Sequence, residues 1–455
     1  MKATEKIANF VAEFKDEDVP KEVLAIAKLH VLDCLGVAIA GITSPIGQIM
    51  LKLGEETNEA KEATVLGAGF TTSALSASFI NGTLAHALDL DDTAVGTIAH
   101  PTAPILPALL ALGEKFRTSG RELVTAYILG LEVFYRLAWL VGGLIRGWHR
   151  TSVFGAIAGA AAAAKLIKLN VDQIRVAIGI STSLAAGLQS NFGTMTKAVQ
   201  VGNASRSAVV SAILAKEGCT ANLDALDDPR GFGYAFCSGH FAPEKVAALG
   251  KPEPFSIVSP GLAVKIYACC GLTHCPADIT LRLVREHDIS YDEVEEVEVY
   301  TEELAPQVLV YHQPKTGYEG KYSLEYVIAA AILDRELTLE TFTDSKVNRL
   351  KIQKFLQKVK VKTRPDVEWA DMRLHPWNHP ARVIIKLNDG RSYSGEAPCA
   401  RGYPDMPLST EEVIGKFRKC AGLVLPAEKI EQLIHVVLTL EAQRSITELM
   451  RLSYS

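Results

Sequence analysis

Between Val153 and Ala164 the chain reads VFGAIAGAAAAA, a run with no charge and almost no side-chain bulk. A helix of that length rises about 18 Å, well short of the roughly 30 Å of a bilayer core. Polar residues flank it, HRTS before and Lys165 after. Small residues let helix axes approach closely, so this helix belongs at the centre of a bundle. Thr151 or Ser152 caps its start. The chain around it must supply several further helices with matching apolar faces.

It does so in order. Thr4 to Phe14, Lys21 to Ala40, Ser44 to Glu56 and Thr72 to Asp89 read as helices, with Pro20 at the start of the second and Gly41 at its end. Pro101 to Phe116 and Arg121 to Val141 follow across a Thr118-Ser119-Gly120 turn. The aromatic stripe Tyr127, Phe134, Tyr135 and Trp139 reads as core. Val171 to Leu188 and Thr196 to Glu217 continue the helical part. After about residue 255 the period changes. Lys265 stands in a short strand-like run, and His274 precedes a helix opened by Pro276. Val294 to Thr301, Val359 to Thr363, Arg382 to Leu387 and Ser392 to Gly395 alternate as strands. Helices at Leu324 to Leu333 and Asp344 to Lys358 lie between them. Three more, Thr410 to Leu423, Ala427 to Thr439 and Ala442 to Leu452, close the chain. The expected fold is mainly α: a large all-helical domain over 1–258, with 400–455 packing back on it, and a smaller α+β domain over 259–399.

Chemistry concentrates in HALDLDDTAVGTIAHPTAPILP, residues 86–107. On a continuing helix His86, Asp89 and Thr93 share a face, Asp91 points away, Gly96 ends the helix and Pro101 opens the next. His100 then falls at the junction. A satisfied core histidine at His86 and a solvated helix end at Asp91 and Asp92 would be the bland reading of the same residues. His149 precedes the Val153 helix, whose free N–H groups favour an anion. Lys197 stands in the first turn of its helix, against the dipole preference for acids, and such local conflicts gather at working sites. With Lys265, His274 and Tyr326 added, imidazoles and ammonium groups outnumber carboxylates. That balance suits a small substrate carrying two or three carboxylates, whose α-proton needs a placed base and nearby positive charge.

Other classes lack their marks. A net charge of −5 without a basic run argues against nucleic acid or an anionic membrane surface. Eight cysteines in 455 residues make no disulfide framework, and Cys269, Cys270 and Cys275 lack zinc spacing. No signal peptide is recognisable at the amino terminus, so a reduced, cytoplasmic location without a metal is expected. Neither G-x-S-x-G nor GxxxxGK[ST] occurs, and Gly67-Ala68-Gly69 is only a fragment of a dinucleotide fingerprint. No cofactor is expected.

Six motifs, NGTLAHALDLDDT (81–93), HPTAPILPALLALGE (100–114), GWHRTSVFG (147–155), TKAVQVGNASRSA (196–208), KIYACCGLTH (265–274) and KYSLEYVIAAAILD (321–334), resemble the MmgE/PrpD family in its own order. The family includes 2-methylcitrate dehydratases, cis-aconitate decarboxylases and an iminodisuccinate epimerase. The resemblance implies a lid-like smaller domain, a homodimer, and catalysis without metal or iron–sulfur cluster. It places the family's active-site groups on Asp89, Thr93, His100, His149, Lys197, Lys265 and Tyr326. One extra residue between Thr93 and His100, and Cys270 where decarboxylases show a histidine, set this chain apart from the decarboxylase pattern. The expectation is a cofactor-independent lyase of the 2-methylcitrate dehydratase type. Asp89, His100, His149 and Lys197 would be catalytic; Thr93, Lys265, His274 and Tyr326 would bind substrate. Epimerisation, decarboxylation and non-catalytic carboxylate binding are the alternatives.

Overall fold

The computed structural model describes residues 2–56, 60–142, 147–237, 241–246, 249, 254–363 and 379–454. The protein is mostly helical with a small sheet, and its chain divides into two compact units. The first comprises 1–190, 196–262 and 409–455; the second comprises 191–195 and 263–408.

Unit 1 is a helical bundle. Its helices are α1 (Ala3–Glu13), α2 (Lys21–Gly41), α3 (Pro45–Glu56), α4 (Ala74–Ala87), α5 (Thr102–Phe116), α6 (Gly120–Leu140), α7 (Arg150–Leu166), α8 (Val171–Leu184) and α9 (Thr196–Lys216). Helices Thr410–Ala421, Ala427–Leu438 and Thr447–Leu452 complete it. The all-helical expectation needs correcting, since Ala63–Thr64 and Thr71–Thr72 form a short antiparallel ladder and Thr93–Ala94 is a further two-residue strand. α7 is buried almost throughout, from Arg150 to Ala164. By length and composition α2 and α6 could cross a membrane, but 78% and 94% of their apolar stretches are buried inside the protein, which marks them as core helices.

Two glycines set the distances that matter for function. A Cβ on Gly155 would lie 2.4 Å from the Pro104 ring, so the α7 backbone packs directly on that side chain of α5. A Cβ on Gly202 would lie 2.1 Å from Thr83 Oγ1 and 2.3 Å from the Phe79 carbonyl, which locks α9 against α4. Helices α4, α5, α7 and α9 therefore converge, and their ends carry the polar residues singled out above.

The region after α4 departs from the helical reading. Ser73 caps α4 by accepting from the Ser76 N–H, and the helix stops at Ala87. Asp89 has φ of 54°, in the left-handed region that aspartate tolerates better than most residues. Thr93 is extended, Ala94 bridges to Ala99, and Gly96 (φ 85°) turns the chain between them. So His86, Asp89 and Thr93 do not share a helix face, and Gly96 ends no helix. A tight turn, which periodicity cannot reveal, brings these residues together instead. α8 also stops early: residues 185–188 are not helical, and Leu188 bridges to Trp148.

Unit 2 contains a four-stranded sheet. β1 (Val294–Thr301) pairs in parallel with β2 (Val359–Thr363) and antiparallel with β3 (Ala381–Leu387); β4 (Ser392–Ala397) pairs antiparallel with β3. Alternate residues of β3 (Ala381, Val383, Ile385 and Leu387) face the core, under helix His274–Glu286, while helix Leu324–Asp334 packs on β2. Lys265 is not in a strand, because regular structure ends at Ala263. The expected helix Asp344 to Lys358 is broken into Asp344–Val347, Leu350–Phe355 and a 3-10 turn, Leu356–Lys358. In unit 1, the expected helix Ala442 to Leu452 starts only at Thr447.

Candidate active site

The close α4–α9 crossing brings the turn after α4 to the first turn of α9. There the Lys197 ammonium lies 3.0 Å from Asp89 Oδ2, and the two side chains are only 8% and 5% exposed. The ion pair offsets the unfavourable placement of a cation in a first helical turn. Because both groups are buried, removing either would leave a charge without its partner, at a cost of about 3–5 kcal/mol.

Three imidazoles cluster together, and one of them, His149, feels the charges of both members of this pair. The His86 ring centroid is 5.0 Å from that of His100 and 5.8 Å from that of His149. Each presents Nδ1 to an oxygen. His86 Nδ1 is 2.7 Å from Asp91 Oδ2, with neither side chain exposed. His100 Nδ1 is 2.7 Å from the Asp92 carbonyl and 3.3 Å from Thr93 Oγ1. Its backbone N–H donates to Thr151 Oγ1 in α7. His149, the N-cap of α7, places Nδ1 2.6 Å from Gln200 Oε1. Burial, with the nearby charges of Lys197 and His86, holds the His149 proton affinity well below the usual histidine value. At neutral pH that ring is therefore uncharged.

The neighbouring aspartates are buried rather than solvated. Asp91 faces the histidines, correcting the expectation that it points away. Asp92 accepts from Thr102 Oγ1, to which the Tyr127 hydroxyl donates in turn, and lies 3.2 Å from His30 Nδ1. Behind it Lys416 donates to the Leu90 carbonyl at 2.8 Å and pairs with Asp33 at 2.6 Å. Burial pushes the Asp33 carboxyl up, with Lys416 opposing the shift.

Five of the sequence-selected residues, Asp89, Thr93, His100, His149 and Lys197, thus gather in unit 1. The other three belong to unit 2. Lys265 is buried, in the loop after Ala263. His274 opens its helix with Nε2 3.3 Å from the Cys269 carbonyl and its ring against Tyr267. Tyr326 is fully buried, and its hydroxyl donates to the Thr341 carbonyl, a bond that must break before it could meet a ligand. Sequence reasoning left His86, Asp91 and Gln200 out of the candidate set. For the first pair a continuing helix hides the contact, since residues five apart do not face each other on one; Gln200 had no signal either, since a glutamine inside a helix reads as neutral. Among the described residues no group of three or more His, Cys, Asp or Glu side chains is arranged to hold a metal ion.

A buried imidazole, a buried ammonium–carboxylate pair and two further histidines are groups that can take up and deliver protons. The chain matches the MmgE/PrpD N-terminal domain over residues 5–244 and the MmgE/PrpD C-terminal domain over residues 267–442, and it belongs to that family. It is 28% identical to a cis-aconitate decarboxylase of Mus musculus, over 99% of this chain and 93% of the relative. It is equally similar to cis-aconitate decarboxylases of Homo sapiens (96% and 92%) and of Aspergillus terreus strain NIH 2624 / FGSC A1156 (99% and 95%).

Proposed function

We propose that this protein is a lyase that removes water from a small hydroxylated di- or tricarboxylate of the 2-methylcitrate type. The observation that carries the reading is the burial of His149 near the Lys197 ammonium, a setting that disfavours the charged ring. Dehydration begins with a base that accepts the proton α to a carboxylate. A buried, neutral imidazole is ready for that step. The electron pair left on carbon forms the double bond as the β-hydroxyl departs. The Lys197 ammonium, held by Asp89, gives that hydroxyl its proton, so water leaves and both groups reset by exchanging protons with solvent. The same ammonium stabilises charge that develops on the substrate carboxylate. Thr93 and His100 are proposed to hydrogen-bond the substrate. Lys265, on the family resemblance, and His274, as a cationic candidate of the sequence itself, are proposed to bind carboxylates.

Decarboxylation of cis-aconitate is the second reading, favoured by the names of the relatives. It makes the opposite demand, because the electron pair left by departing CO2 is taken up through the carbon framework and a proton must be delivered to carbon rather than removed from it. A proton NMR screen in heavy water with 2-methylcitrate, citrate, cis-aconitate and iminodisuccinate tests both. A new vinylic or alkene product from a hydroxylated acid supports dehydration. Release of CO2 from cis-aconitate, with no reaction of the hydroxy acids, overturns it in favour of decarboxylation. Deuterium exchange at the α-carbon without loss of water points to epimerisation, and binding without turnover points to a carboxylate-binding protein.

A further inference from the structure

We infer that Gln200 is a positioning residue that selects which nitrogen of His149 does the chemistry. This inference rests on the reading of His149 as the base, and it names the group that makes the imidazole competent.

The argument is one of donors and acceptors. Gln200 lies one helical turn after Lys197 on α9, buried at its amide end. Its Nε2 donates to the Leu188 carbonyl at 3.0 Å, and its backbone carbonyl accepts from Ser152 Oγ at 2.8 Å. A backbone carbonyl can only accept, so the NH2 group of the amide must face Leu188. Oε1 then faces His149, where it too can only accept. His149 Nδ1 must therefore carry the hydrogen of that 2.6 Å contact. In a neutral ring this makes Nε2 the nitrogen with the lone pair.

The backbone fixes the same geometry from the other side. His149 N–H donates to the Gly187 carbonyl at 2.9 Å and Gln189 N–H to the Gly147 carbonyl at 2.9 Å. Residues 147–149 and 187–189 are thus strapped together, so the Leu188 carbonyl that orients Gln200 cannot shift without moving His149. An amide also differs from the carboxylate that faces His86. It accepts the Nδ1 hydrogen without adding negative charge, so it orients the ring while leaving it a weak base. The titratable and charged groups around His149 are His86 at the end of α4, Asp89 in the turn after it, Lys197 on α9 and Arg150 on its own helix; the last donates to the Thr97 carbonyl.

The test uses the full-length protein labelled with 15N-histidine, the His149 signals being assigned by their loss in His149→Asn. The wild type is expected to show protonated Nδ1 and unprotonated Nε2 throughout the pH range of activity. Gln200→Met keeps the length of the side chain but removes the acceptor; it should mix the tautomers and lower kcat by roughly 10- to 100-fold, the range for partners that hold a functional imidazole, with KM little changed. Gln200→Glu should keep the tautomer and move the acid limb of kcat/KM to higher pH, because a carboxylate raises the ring's proton affinity. If the wild-type ring is protonated on Nε2, or if Gln200→Met leaves both tautomer and kcat unchanged, the inference is wrong. Should Gln200→Met not fold, the tautomer in the wild type and the limb shift in Gln200→Glu still decide. The two ideas fail separately. A locked tautomer in a protein that dehydrates no carboxylate would sink only the proposed reaction, and active enzyme with the opposite tautomer would sink only the role of Gln200.

Discussion

At the scale of single residues, the site is a set of buried charges whose states are fixed by their neighbours. His149 has a testable thermodynamic signature. Its folded-state proton affinity is depressed, so on acidification the unfolded chain takes up a proton near the ordinary histidine value of about 6.5 before the folded protein does. The His149 contribution to stability is thus intact above that pH and is lost as pH falls from there toward the lower folded value. The loss has a limiting slope of about 1.4 kcal/mol per pH unit. Urea unfolding between pH 7.5 and 5 should show this decline in the wild type and a shallower one in His149→Asn; parallel curves would contradict the buried neutral ring. Asp89→Asn bears on both stability and rate. Turnover should fall by about 10²–10⁴-fold, and the protein should lose stability, since Lys197 stays buried without its counter-charge. Near-native turnover would remove Asp89 from the mechanism. Asp89 and Lys197 could be picked out in the sequence because each broke a local rule of composition or dipole, and His149 because it stands just ahead of a helix amino terminus. His86 was not, as a histidine among alanines and leucines also fits an ordinary core.

At the scale of elements, legibility followed the pattern of burial. β1 and β2 have the predicted limits; β1 alternates inward and outward residues from Val297 to Thr301, as a half-buried strand does, whereas in β2 only Val359 is buried and the alternation lies in the sequence of valines and lysines. The helices α2, α5 and α6 were legible from length and punctuation, within a residue or two at their ends. The end of α4 was not. Almost every residue from Asn81 to Thr93 is buried, so no polar face marks where the helix stops, and a left-handed aspartate leaves no periodic trace. What positions the site is the helix crossing, and this can be tested. Gly202→Ala would push a methyl into Thr83 Oγ1 and the Phe79 carbonyl. It should destabilise the protein by about 1–3 kcal/mol and also reduce kcat, since a shift of ~1 Å in a catalytic group can cost about 10²-fold. Gly415→Ala is the matched control. Its added Cβ meets nothing within 4 Å inside the Thr410–Ala421 helix, so stability should rise by about 0.5–1 kcal/mol with activity unchanged. Equal thermal shifts in the two variants would refute the crossing as the controlling distance.

At the scale of the whole molecule, unit 1 is closed by a part of the chain that returns after unit 2 has been made. Helix Thr410–Ala421 packs along α2, and Lys416 reaches from it to both the Asp33 carboxylate and the Leu90 carbonyl. Leu90 is the residue after Asp89, so the returning helix holds the turn that carries the ion pair. Family membership and the six motifs point to the site, but none of those motifs includes Lys416. A lysine in EEVIGKFRKC reads as one more exposed charge on an amphipathic helix, although only 11% of its side chain is exposed. Two effects should therefore appear together in Lys416→Met. The buried Asp33 carboxylate loses its partner, lowering stability by about 3–5 kcal/mol, and the turn at Leu90 loses its tether, lowering kcat/KM. Adding Asp33→Asn removes the uncompensated charge and should restore much of the stability, while the turn stays untethered and catalysis stays impaired. Thermal melts and steady-state rates on the single and double variants separate the two roles. Full recovery of kcat/KM in the double variant would mean that the returning helix supports the fold alone and has no hold on Asp89.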